Sequence, residues 1–278
     1  MSTFALLLVL TAAFLHAGWN AMVKASGDRG ITLAVIALGH LVLGAGLALF
    51  TPLPGWEAAP YIAASTVIHW GYYWAIYHGY RLGDLSLVYP ISRGMAPMLV
   101  ALGAMAVLGE TVNSAGWTGI AAISGGVLLL AAGSIRRGVS PQAVMLGVLL
   151  GFIIASYSVV DGTGARLAES SLAYIAWLFL CEGFFAVFLL WRRRHDLRGI
   201  SSRAWIIGLG GGVASALAYG LAIHAKTIAP MALVSALRET SVVIAALIGT
   251  LLFAERPLVP RLAASVVVVA GIVAIALA

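Results

Sequence analysis

A chain of 278 residues could make one or two soluble domains, but 62% hydrophobic against 9% charged residues, with a mean hydropathy of +1.04, lies far outside globular composition and excludes a soluble fold. The net charge of +6 comes from basic residues in short connections between apolar runs, which excludes a continuous nucleic-acid-binding patch. The single cysteine, Cys181, sits in an apolar segment, where a buried thiol is expected and neither a disulfide framework nor a cysteine metal site can form within one chain.

Apolar windows of about 20 residues, the length that spans a hydrocarbon core of about 30 Å, predict ten transmembrane helices. They fall at about 3–23, 31–51, 58–80, 85–107, 114–134, 142–163, 171–191, 203–224, 231–253 and 258–277. The first begins like a signal-peptide core, Phe4 to Ala17, but lacks a basic leader and runs on through Trp19 to Val23, so it is read as a retained helix. The connections carry Gly, Pro or charge, as in Gly27-Asp28-Arg29-Gly30 and the run from Arg192 to Gly199.

Connections 1-2, 3-4, 5-6, 7-8 and 9-10 hold twelve lysines and arginines: Lys24, Arg29, Arg81, Arg136, Arg137, Arg192, Arg193, Arg194, Arg198, Arg203, Arg256 and Arg261. The other side holds two, Arg166 and Lys226. The basic side belongs in the cytoplasm, which puts both termini on the periplasmic or extracellular face of a bacterial-type inner membrane.

A shift of 145 residues lays Arg93 on Arg238, Glu110 on Glu255 and Gly126 on Gly271. The chain therefore reads as two homologous halves, 1–137 and 138–278. Five helices per half is odd, so halves of one fold must be inverted relative to each other. The expected fold is an all-α integral membrane protein of ten transmembrane helices built as two inverted five-helix repeats. Arg93 and Arg238 then lie roughly 12 Å from opposite faces at 1.5 Å per residue, and inverted symmetry brings them together near the midplane.

Charge at the bilayer centre costs at least about 2.5 to 3.5 kcal/mol per residue, so each such group must face the bundle interior with a partner. The midplane inventory is Arg93, Arg238, Glu182 and Glu239. Helical spacing sets His16, Trp19, Asn20 and Lys24 on one face of helix 1, and His69, Tyr72, Tyr73, Tyr77 and Tyr80 on one face of helix 3. Tyr89 stacks below Arg93, Tyr157 below Asp161, and Ser235 lies beside Arg238 and Glu239. Pro90 and Pro97 flank Arg93 and free carbonyls that hydrocarbon tolerates only where protein or a water-filled cavity meets them, which points to a bent helix along the substrate path or a plain structural kink.

Two readings of the arginines stand open: coordination of an anion, for which guanidinium suits carboxylate or phosphonate, or structural salt bridges, Arg93 with Glu182 and Arg238 with a carboxylate of another helix. Glu182 and Glu239 could bind an ammonium group or carry a coupling proton. His69 could titrate with substrate or simply pack through a hydrogen bond. Lys24 and Asp161 are expected to snorkel to water, and Glu110 and Glu255 to bond neighbouring backbone. Glycines 116, 119, 125 and 126, then 208, 210, 211 and 212, read as close helix packing.

The duplicated pattern of a helix closed by Leu108-Gly109-Glu110 or Phe253-Ala254-Glu255, with a Gly-rich or Val-rich last helix, resembles the EamA-type branch of the drug/metabolite transporter superfamily over the whole chain. The resemblance implies a ten-helix inverted-repeat carrier with a cavity walled by helices 1 to 4 and 6 to 9, helices 5 and 10 being peripheral. EamA-type exporters usually keep both termini inside, the reverse of the orientation expected here. The stretch His16-Ala17-Gly18-Trp19-Asn20 with Lys24 is similar to EamA members associated with phosphonate use.

The expected function is secondary active transport, by alternating access, of a small anionic or zwitterionic metabolite such as an amino acid or aminophosphonate. The alternative is a flippase or exporter of a lipid-linked or amphipathic metabolite. No nucleophile clusters with a base and no set of ligands has metal spacing, so neither an enzyme nor a cofactor is expected. The expected partners are the substrate, the lipid bilayer and a coupling proton, in a monomer or homodimer without nucleic acid. The substrate-binding residues are expected to be Arg93, Arg238, Glu239, Glu182, Tyr89, Tyr72, Tyr73, His69, Trp19, Asn20, His16 and Tyr157.

Overall fold

The computed structural model describes residues 1–24, 29–82, 85–135, 140–192, 194, 201–253 and 258–277. In chain order the helices are α1 (Thr3–Lys24), α2 (Arg29–Ala48), α3 (Ala59–Leu82), α4 (Leu85–Leu108), α5 (Ser114–Ile135) and α6 (Pro141–Leu167). They continue with α7 (Ser171–Arg192), α8 (Ser202–Ile228), α9 (Met231–Arg238), α10 (Thr240–Phe253) and α11 (Leu258–Ala276). Helices α9 and α10 are two parts of one rod broken at Glu239, so the described residues form the ten rods that hydropathy predicts. Seven described spans are long and apolar enough to cross a bilayer. Helix α3 is not among them, because His69, Tyr72 and Tyr73 give it a polar face.

Helices α6 and α8 run one turn beyond the hydropathy windows, which stopped short of Arg166 and Lys226. Lys226 is no connection residue: it is fully buried in α8 and its Nζ donates to the Ser158 carbonyl at 3.0 Å. A buried ammonium is tolerated where protein carbonyls replace water. Of the other basic residues in the orientation count, the side chains of Lys24, Arg29, Arg81 and Arg261, and Arg136, Arg137, Arg193, Arg198 and Arg256 altogether, lie outside the described residues, as do Glu255 and the side chains of Tyr77 and Tyr80.

Helix α4 continues through both Pro90 and Pro97, and Ser92 Oγ donates to the Tyr89 carbonyl at 3.0 Å. The break falls in α9–α10, which has neither proline nor glycine at that point. There the Glu239 N–H donates to the Ala236 carbonyl at 3.0 Å, the tighter three-residue turn, and Thr240 Oγ1 draws on the Leu237 carbonyl at 2.6 Å. The turn presents Arg238 and Glu239 at the interior end of α9.

The rods pack as α2 against α7, α5 against α11, α4 against α5, α6 and α9, α3 against α6 and α7, α8 against α1 and α2, and α1 against α10. Glycine permits the tightest crossings. A Cβ on Gly39 would stand 2.6 Å from Gly212 Cα, and one on Gly126 would press on Val268 and the Ala264 carbonyl. Gly125 and Gly210, read from sequence as packing residues, face open space instead. Cys181, expected to be buried, is half-buried.

Candidate functional site

Charged residues converge where α4 meets α9. Arg93 Nη2 lies 2.9 Å from Glu239 Oε1 with both side chains buried, an ion pair out of line for a hydrogen bond. Arg238, the neighbour of Glu239, is also buried, and its guanidinium carbon lies 5.1 Å from the Tyr219 ring centroid, a cation–π contact. Both arginines act electrostatically on His16, Tyr72, Tyr89 and Tyr157, which surround the pair from α1, α3, α4 and α6. Among the described residues no hydrogen-bond acceptor meets Arg93 Nε, Arg238 Nε or Trp19 Nε1.

Glu182 is not the partner of Arg93, which corrects the structural alternative drawn from sequence. It is 1% exposed, and its two oxygens face two imidazoles, Oε2 at 3.4 Å from His40 Nδ1 and Oε1 at 3.4 Å from His69 Nδ1. The reason is topological: α7 packs on α2 and α3, while α4 packs on α6 and α9. The midplane charges thus divide into an arginine cluster with one carboxylate and a separate carboxylate held between histidines.

Aromatic rings join the two. His69 stacks on Tyr157 with ring centroids 4.4 Å apart and meets Tyr219 edge-on at 5.6 Å. Tyr72 touches Tyr157 and Tyr73, and Tyr73 stacks on Phe185. Asp161 does not snorkel. It is fully buried, accepting hydrogen bonds from Tyr174 at 2.9 Å and from Tyr219, because α7 and α8 close over this turn of α6.

Glu110 bonds backbone, but backbone far along the chain. Gly109, at φ +65°, ends α4 in the left-handed conformation that glycine adopts freely, and so turns Glu110 inward. Its Oε2 accepts from the Met231 N–H at 2.8 Å, capping α9, while Oε1 accepts from Arg166 Nη2 at 2.6 Å. Arg166 also donates to the carbonyls of Lys226 and Ala229 at the end of α8. An open recess of about 270 Å³ lies beside Arg166, lined also by Glu169, Ser171 and Thr227 and by none of the residues around Arg93.

Of the twelve residues singled out in the sequence, Arg93, Arg238, Glu239, His16, Tyr72, Tyr89 and Tyr157 come together. Glu182, His69 and Tyr73 form the adjoining group. Trp19 sits edge-on to His16 at 5.2 Å, and the Asn20 amide donates to the His16 carbonyl at 2.7 Å. Sequence reasoning missed His40, Tyr174, Tyr219 and Lys226. A polar residue inside an apolar window was the available signal for His40, Tyr174 and Tyr219, whereas Lys226 lay beyond its window.

A bundle of apolar rods with buried charges from several helices converging at its centre defines a polytopic membrane protein with a polar interior site. The model of the EamA-like transporter family matches residues 141–277. That segment is an EamA-like domain of the drug/metabolite transporter superfamily, a family of carriers and not of enzymes. One solved crystal structure of a protein is similar over 100% of this chain and 98% of its own, at 18% identity and a TM-score of 0.75, a likeness of fold alone. No curated protein matches the chain.

Proposed function

We propose that this transporter carries a small anionic or zwitterionic metabolite, an amino acid or aminophosphonate, by alternating access, with the anionic group gripped between Arg93 and Arg238. The observation that carries the reading is charge balance: two buried guanidiniums share one carboxylate, Glu239, while Glu182 is engaged by His40 and His69. A local excess of positive charge at the two arginines costs several kcal/mol, and an anion relieves it. The unmet donors on Arg93, Arg238 and Trp19 suit carboxylate or phosphonate oxygens, and Glu239 Oε2, which accepts no hydrogen bond among the described residues, suits an ammonium group. Tyr72, Tyr89 and Tyr157 wall the space.

Inverted halves follow the same reading, and the helix pairing supports them. Exchanging the first five rods with the second five maps α1 on α8 into α6 on α3, α2 on α8 into α7 on α3, and α4 on α6 into the broken rod on α1. The pairs α2 with α7 and α5 with α11 map onto themselves. Gly119 meets Gly271 and Gly126 meets Ala264, an antiparallel register that the 145-residue shift preserves. The proposed setting is a bacterial-type inner membrane with both termini outside.

A thermal-shift screen of the solubilised protein tests the guest. Amino acids and aminophosphonates are expected to raise the melting temperature with concentration, and amines lacking an anionic group to leave it unchanged. Stabilisation by amines alone contradicts the reading.

A further inference from the structure

We propose that His40, Glu182 and His69 bind one shared proton and form the coupling-ion site of this carrier, apart from the guest site at the arginines. The inference rests on the reading of the chain as a secondary transporter, but the site stands on its own geometry. Glu182 is buried, and among the described residues neither of its oxygens accepts a hydrogen bond in good alignment. Among the described residues only imidazole nitrogens face it within ion-pair distance, one from α2 and one from α3, each at 3.4 Å.

Hydrogen-bond bookkeeping fixes part of the protonation. His69 Nδ1 lies 2.9 Å from the Ser65 carbonyl, which only accepts, so Nδ1 carries a hydrogen and donates it there, with Glu182 Oε1 alongside at 3.4 Å. His40 is held from behind by Ser215 Oγ at 3.1 Å from Nε2, leaving Nδ1 toward Glu182. With neutral imidazoles and an ionised carboxylate the trio is negative; with one added proton it is neutral; with two it is positive. A buried cluster favours the neutral count, so the trio takes up and gives back a single proton as a unit. Buried carboxylate–histidine chains inside membrane bundles mark proton paths.

The titratable neighbours are on the page. Helix α3 adds Tyr73, and α7 adds Tyr174 and Cys181, all within the field of Glu182. Helix α6 sets Tyr157 against the His69 ring and brings Asp161 within its field, with Ser65 reaching both His69 and Asp161. Helix α8 sets Tyr219 between His69, Asp161 and Arg238. Tyr157 and Tyr219 are thus the shared wall of the two sites. A proton on the trio removes the negative charge that faces the arginines across that wall, and an anion on the arginines replaces it, so guest and proton favour each other's binding. Such coupling is reciprocal and makes the carrier a symporter.

The test is solid-state NMR of the full chain in lipid, with the imidazole nitrogens labelled and assigned by His40→Gln and His69→Gln. Over a pH series His40 and His69 are expected to respond together in one step, and Glu182→Gln to abolish it. Separate titrations of the two rings, no response over that series, or an unchanged step in Glu182→Gln overturns the site. Should Glu182→Gln fail to fold, His69→Gln must remove the response of His40. In proteoliposomes, uptake of 2-aminoethylphosphonate is expected to follow the same pH step and to lose its pH dependence in His69→Gln; an unaltered profile overturns the coupling. Failure of the wild type to take up this probe rejects it as guest, while the NMR titration still decides the proton site.

Discussion

Arg93 and Glu239 stand 2.9 Å apart on helices α4 and α9, and the carboxylate belongs to the residue next to Arg238. Two guanidiniums therefore depend on one anion, and their removal is not symmetrical. Glu239→Ala leaves two buried cations together and is expected to cost about 3 to 5 kcal/mol of stability. Arg93→Ala leaves Glu239 within the field of Arg238 and is expected to cost less than half as much. Unfolding titrations of both variants in micelles check this, and equal costs would show that the carboxylate serves Arg93 alone.

Tyr219 offers two functions that substitution can separate. Tyr219→Phe keeps the ring under Arg238 but deprives Asp161 of one of its two phenol donors, for an expected loss of about 1 to 3 kcal/mol in stability. Tyr219→Leu also removes the cation–π contact, worth a further 0.5 to 2 kcal/mol or so, and is expected to weaken guest binding where Tyr219→Phe does not. Melting curves report the first effect and ligand titration the second.

At the end of α4, Glu110→Ala strips α9 of its cap and Arg166 of its carboxylate. The cap is worth about 1 kcal/mol, and the partly buried ion pair adds about 1 kcal/mol. Glu110→Gln keeps an acceptor for the Met231 N–H and is expected to recover most of the loss. Thermal melting of the three proteins ranks them, and a Gln variant as weak as Ala would assign the whole effect to Arg166.

The crossing of α2 and α8 predicts a contrast between glycines in one run. Gly212→Ala would drive a Cβ to 2.6 Å from the Ile36 carbonyl and is expected to destabilise by about 1 to 3 kcal/mol as the helices part. Gly210→Ala meets nothing within 4 Å and is expected to be neutral or slightly stabilising, by up to about 1 kcal/mol. Melting temperatures of opposite sign are the expected readout.

The rods were legible because bilayer thickness dictates their length, and the arginines because their burial in lipid demands a reason. Pairing was not legible: periodicity places Glu182 and Arg93 at like depth but carries nothing about which helices touch. The windows lost the last turns of α6 and α8 because Arg166 and Lys226 read as loop residues, although carbonyls and a distant carboxylate hold them inside the protein. His40 and Tyr219 stand out as polar residues inside apolar windows, but they act through partners on other helices, which no local pattern names. The break at Glu239 arises from a threonine hydroxyl and a tightened turn, whereas the prolines that signalled a bend lie in a helix that runs on unbroken.

The central claim, that the paired guanidiniums hold the guest's anionic group, is tested most directly by uptake of radiolabelled 2-aminoethylphosphonate and amino acids into proteoliposomes bearing wild type or Arg93→Ala, with folding checked by melting. The account predicts uptake of a carboxylate- or phosphonate-bearing compound by the wild type, and its loss in a variant that still melts cooperatively because Glu239 keeps Arg238 for company. Undiminished uptake by folded Arg93→Ala would contradict it.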